Sequence, residues 1–85
     1  MVRVSFTANL RRHLPCPAVE TEARSVAEAL SRVFEGNDRL RGYILDDQAR
    51  LRRHVVLFLN GRQAGLDACV ADGDEIHVMQ ALSGG

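Results

Sequence analysis

Val2, Val4 and Phe6 alternate with Arg3, Ser5 and Thr7, a two-residue period that predicts a half-buried strand over residues 2–7. Asn9–His13 is polar and basic and reads as a loop. Pro17–Glu22 is a weaker extended stretch that returns beside the first strand, with Pro15 and Pro17 restricting pairing to its later residues. Ser25 followed by Glu28 has the form of a capping box. Behind it, Val26, Leu30, Val33 and Phe34 fall on one helical stripe, and Gly36 ends the helix. Residues 37–54 mix Leu40, Tyr43, Ile44, Leu45 and Leu51 with charges, and read as a short turn or helix followed by a flexible loop at 46–50. Val55–Leu59 is an apolar strand, Asn60-Gly61 a tight hairpin turn, and Arg62–Ala64 the short return. Asp72-Gly73-Asp74 is a second turn, and Glu75–Leu82 a last strand in which Ile76 and Val78 alternate with His77 and Met79. Strand, strand, helix, then three strands predicts an α+β roll: a mixed sheet with one main helix packed on one face, and the first and last strands paired in its middle.

Alternation also divides the later strands between two faces. Val55, Leu57 and Leu59, continuous with Ile76 and Val78, are expected to face the helix. That leaves Val56 and Phe58 outward beside His77 and Met79, an apolar patch suited to a partner protein. The alternative is that segment 37–54 folds over this patch. Eighty-five residues make one small domain, with little material for a deep active-site cleft. Eleven basic residues balance eleven acidic ones, which argues against a nucleic-acid footprint or a polybasic membrane anchor. No apolar run is long enough to span a bilayer, and the first residues lack a secretory h-region, so a cytoplasmic protein is expected. Cys16 and Cys69 lie in no CxxC pair and no zinc spacing, and no metal site is expected. They read as unconnected thiols of a reducing compartment, with a disulfide as the alternative. Cys69 is placed in a short turn packed on the core. His13 and His54 read as loop and strand-start residues, Asp46-Asp47 as solvated charges, and Arg50, Arg52 and Arg53 as a solvated basic face, with contact to a partner's acidic surface as the alternative. Every basic residue is arginine, so no lysine amine is available for covalent chemistry.

The order of elements, the hairpin Val55–Gly61, the segment Ala71–Ile76 and the terminal Gly84-Gly85 together resemble the ThiS/MoaD sulfur carriers, which are ubiquitin-like β-grasp proteins. The resemblance spans residues 1–85 as a single domain, with 82–85 as a flexible functional tail. It implies a carrier that is not itself an enzyme and holds no stable cofactor. The Gly85 carboxylate, ionised at neutral pH because its pKa is about 3.5, would attack the α-phosphate of ATP in a ubiquitin-activating-type adenylyltransferase, which supplies the ATP and magnesium. A sulfur donor would then convert the acyl-adenylate to a thiocarboxylate. Leu82, Ser83 and Gly84 would thread the partner's channel, where a side chain at 84 or 85 would obstruct passage. Val56, Phe58, His77 and Met79 would dock the partner. Further implied partners are a sulfur-accepting biosynthetic enzyme and a metalloprotease that exposes or trims the tail. The stretch Gly42–His54 is similar to the cysteine-synthase-linked carriers. The alternatives are the small subunit of molybdopterin synthase, the thiazole-forming carrier, whose chains are usually shorter, a modifier forming isopeptide bonds through Gly85, and an interaction domain with an inert tail.

Overall fold

In the computed structural model, which describes residues 1–7 and 18–80, the alternation of the first strand is realised directly. Val2, Val4 and Phe6 are buried while Arg3 is exposed in β1 (Val2–Phe6). β2 (Val19–Thr21) pairs antiparallel with β1, Val4 facing Val19. The chain continues through α1 (Val26–Phe34), α2 (Asp38–Ile44), β3 (Val55–Leu59), β4 (Arg62–Ala64) and β5 (Glu75–Gln80). The five strands form one sheet in the order β2-β1-β5-β3-β4. β1 and β5 pair in parallel at its centre, as expected. The predicted loop at 9–13, Cys16, His13, the end of the last strand and the tail Leu82–Gly85 lie outside the described residues.

Each helix start has its own polar cap. The Glu28 N–H donates to Ser25 Oγ at 3.1 Å, and the Ala29 N–H donates to the Ser25 carbonyl. The Glu28 carboxylate reaches one residue further back than a capping box requires and accepts from the Arg24 N–H at 3.0 Å. The remaining N–H groups of the first turn, Val26 and Ala27, donate to the carbonyls of Ala68 and Leu66. Segment 65–70 thus satisfies helix donors that would otherwise be orphaned. It packs on the core as expected, through Leu66, Ala68 and Val70, and Cys69 itself is exposed. Alternation explains the difference, because the Ser25–Cys69 bridge holds the segment extended, with Ala68 and Val70 on the opposite side from the thiol.

The short turn or helix expected after Gly36 is a helix of seven residues, α2. Asn37 Oδ1 accepts from the Leu40 N–H at 3.3 Å, and Leu40 and Ile44, one turn apart, are both buried. Segment 46–50 is not the free loop the sequence suggests. Asp46 accepts from the N–H groups of Gln48 and Arg50 at 2.8 and 3.0 Å, its own N–H donates to the Arg50 carbonyl, and Leu45 bridges to Leu51. The core lies between the sheet and both helices. Val4, Leu30, Leu40, Ile44, Leu57, Ile76 and Val78 are fully buried, and no polar or charged residue is buried among the described residues.

Candidate docking face

Outward side chains of the three central strands meet on the face opposite the helices. The register sets Ser5 beside His77 on one side and Phe58 beside His77 on the other, with Val56 opposite Met79. The four residues expected to form the patch, Val56, Phe58, His77 and Met79, are therefore contiguous, and all are half-buried. Phe58, His77 and Met79, with Arg3, Ser5, Glu75 and the turn residues Asn60 and Gly61, line a shallow depression of about 390 Å³. Ser5 Oγ and His77 Nδ1 share a hydrogen bond of 2.9 Å across the β1–β5 pairing, which fixes the ring in the centre of the face. The sequence does not single out Ser5. Its signal is the parallel register, which becomes visible only once β1 and β5 are known to be neighbours.

Leu40, Ile44 and Leu45 enter the core from the helix side, so segment 37–54 does not fold over Phe58. His54 packs edge-on against Tyr43 at a centroid distance of 5.2 Å. One end of the depression is built by the hairpin turn, where Asn60 and Gly61 have φ of 52° and 85°. Two successive left-handed residues match the strand twist, which explains the Asn-Gly sequence. The Asn60 amide donates to Asp74 Oδ1 at 3.0 Å and accepts from the Glu75 N–H at 2.9 Å. Asp74 also accepts from the Ala71 N–H at 2.8 Å. The Asn60 amide, then the Ala71 N–H, hold the Asp74 carboxyl below the usual aspartate value. Asp72 pairs with the Met1 ammonium group. The two aspartates around Gly73 thus tie strands together. No cluster of three or more His, Cys, Asp or Glu suited to a metal occurs among the described residues. No helix there is long and apolar enough to cross a membrane.

At the other end of the face, Gln80 closes β5 opposite Val55. The sequence continues from this central strand to Leu82, Ser83, Gly84 and Gly85, all outside the described residues. The sequence model of the ThiS family matches residues 4–85, nearly the whole chain. Among solved structures, a chain of the Amycolatopsis orientalis BexX/CysO complex is 27% identical, with a TM-score of 0.82 and complete coverage of both chains. The small archaeal modifier protein 1 of Methanosarcina acetivorans is 26% identical with a TM-score of 0.80, covering 99% of this chain and 95% of that one. Mycobacterium tuberculosis CysO, at 22% identity and a TM-score of 0.79 over 96% of this chain and 100% of its own, shares the fold.

Proposed function

The chain belongs to the ThiS family, and from that premise we propose that it carries sulfur on its own C-terminus, as a protein co-substrate and not as an enzyme. The observation that carries the reading is the family match, which extends through Gly85. A carboxylate oxygen of Gly85 attacks the α-phosphate of ATP held by a ubiquitin-activating-type adenylyltransferase, and pyrophosphate leaves. Sulfur delivered by a donor at the sulfide level then attacks the acyl carbon, AMP leaves, and a thiocarboxylate remains for a biosynthetic enzyme to consume. Val56, Phe58, His77 and Met79 dock the activating enzyme while Leu82, Ser83 and Gly84 thread its channel. The resemblance of Gly42–His54 to the cysteine-synthase-linked carriers favours a role in making cysteine or another sulfur-containing metabolite, and the likeness to a chain of the BexX/CysO complex is a precedent for work in complex with a partner.

The likeness to the Methanosarcina modifier protein supports a second reading, in which Gly85 forms isopeptide bonds with lysines of other proteins. Intact mass spectrometry of the chain from its native cell separates the two. A mass gain equal to exchange of one oxygen for sulfur at Gly85 supports the carrier. Branched peptides bearing Gly84-Gly85 on other proteins support the modifier, and a permanently unmodified carboxylate defeats both.

A further inference from the structure

Residues 38–54 carry five arginines against three aspartates, whereas the remaining described residues carry four arginines against eight carboxylates. The chain is neutral as a whole but divided within. Asp46 is occupied by Arg50, both through the Arg50 N–H and through its guanidinium at 3.6 Å, so it offers little to offset the other arginines. Arg39, Arg41, Arg50, Arg52 and Arg53 are all exposed. Arg39, Arg41 and Arg53 make no side-chain hydrogen bond or ion pair among the described residues, and nothing in the fold requires their charge.

The position of this surface is set by two attachments. Arg52 Nε donates to the Gly42 carbonyl at 2.7 Å and the Arg52 N–H to the Ile44 carbonyl, which fastens 52 to the end of α2 beside Arg41. The Val55 N–H donates to the Arg52 carbonyl, and Val55 pairs with Gln80. Arg52 and Arg53 therefore stand at the end of the sheet where β5 stops. Asp72, Asp74 and Glu75 stand at its start. Six residues of strand separate the two ends by about 17 Å. That exceeds the screening length of about 8 Å at physiological salt, so the two poles act separately.

We infer that Arg41, Arg52 and Arg53, with Arg39 and Arg50, form a docking surface for an acidic protein rim around the activating enzyme's channel, and that it turns the carrier tail-first on approach. This rests on the carrier reading above. The opposite end of the sheet, where Asp72 pairs with the Met1 ammonium group and Arg3 lies beside Glu75, offers no such basic excess, so attraction at one end selects one orientation. A protein fits better than a nucleic acid. The arginines are interspersed with aspartates, and Tyr43, the aromatic residue among them, is half-buried against His54, leaving no stacking platform.

The test uses a purified adenylyltransferase that charges the wild-type chain, with association followed by stopped flow across a salt series. Arg41→Glu combined with Arg53→Glu is the informative variant, since neither side chain has a described partner whose loss would unfold the protein. An unchanged melting temperature verifies that. The association rate constant is expected to fall at least tenfold at low salt and to converge with wild type near molar salt. The Arg41→Lys/Arg53→Lys variant should retain the wild-type rate. Arg62→Glu, on the short strand β4 beside the hairpin turn, should change the rate much less. An unaltered rate in the double Glu variant, or an equal loss in Arg62→Glu, overturns the inference while charging of the wild type leaves the carrier reading standing. Tight binding of a single-stranded RNA oligonucleotide, lost in the double Glu variant, also overturns it. Failure of every such enzyme to charge the wild type removes both.

Discussion

Asn60 sits in a left-handed backbone position that a residue with a Cβ adopts at a cost of about 1–2 kcal/mol, and its amide bridges Asp74 and the Glu75 N–H. Replacing it with Ala removes the side chain that tolerates this backbone. Asn60→Ala is expected to lower stability by on the order of 1 kcal/mol in urea melts, with Asn60→Gly less harmful. Asp74 and Asp46 are both held below the ordinary aspartate value of 3.8, the first chiefly by Asn60 and the second chiefly by the Arg50 N–H. A depressed folded-state pKa means that the ionised form is favoured by folding. The stability these groups confer is complete above 3.8 and is lost as pH falls through their lower folded values. Denaturation midpoints followed from pH 5 downward should therefore decline less steeply for Asp46→Asn and Asp74→Asn than for wild type. The turn at 60–61 is legible in the sequence because Asn-Gly is a local signal. The bridge from Asn60 to Asp74 is not, because it joins residues fourteen apart and depends on the β3–β5 register.

At the level of elements, the two faces of β3 make different predictions from adjacent residues. Leu57 is buried under the helices, and Leu57→Ala should cost about 2–5 kcal/mol of folding stability. Phe58 points to the other side, and Phe58→Asp should leave the melting temperature nearly unchanged. It should weaken the complex with the activating enzyme by several kcal/mol, as loss of a central anchor does; calorimetry on the same protein reads both. Two-residue alternation carries this division of faces, which is why β1, β3 and β5 can be read from the chain alone. α1 is equally plain from its stripe and its cap. α2 is harder, because seven residues offer only Leu40 and Ile44 as a stripe, and Gly42 weakens the helical signal. Segment 46–50 reads as free because its order comes from one carboxylate gathering backbone donors, a pattern that polarity does not reveal. Ala49 within it has φ of 60°, so Ala49→Gly should raise stability by up to about 1 kcal/mol, measurable by the same urea melts.

For the whole molecule, the family match and the fold agree on a β-grasp carrier, and the proposed chemistry is assigned to Gly85. Gly84→Val should abolish acyl-adenylate formation, assayed by pyrophosphate release, while circular dichroism and melting temperature stay at wild-type values. A shifted melting temperature would instead mean that the tail packs on the domain. The Gly-Gly ending and the order of elements make the carrier reading legible in the sequence itself, whereas the charge division needs the fold to bring Arg52 and Arg53 beside the end of β5. The central position of β5 has a mechanical consequence. This strand is laced to β1 along one edge and to β3 along the other, and the tail continues from its end. A pull on the tail therefore runs along the strand and loads both ladders in shear, so many hydrogen bonds resist together instead of parting one by one. Force applied at the Asn60-Gly61 turn would peel β3 and β4 from the edge of the sheet. The domain should yield at markedly higher force in the first geometry than in the second. It can thus be drawn by its C-terminal end without coming apart.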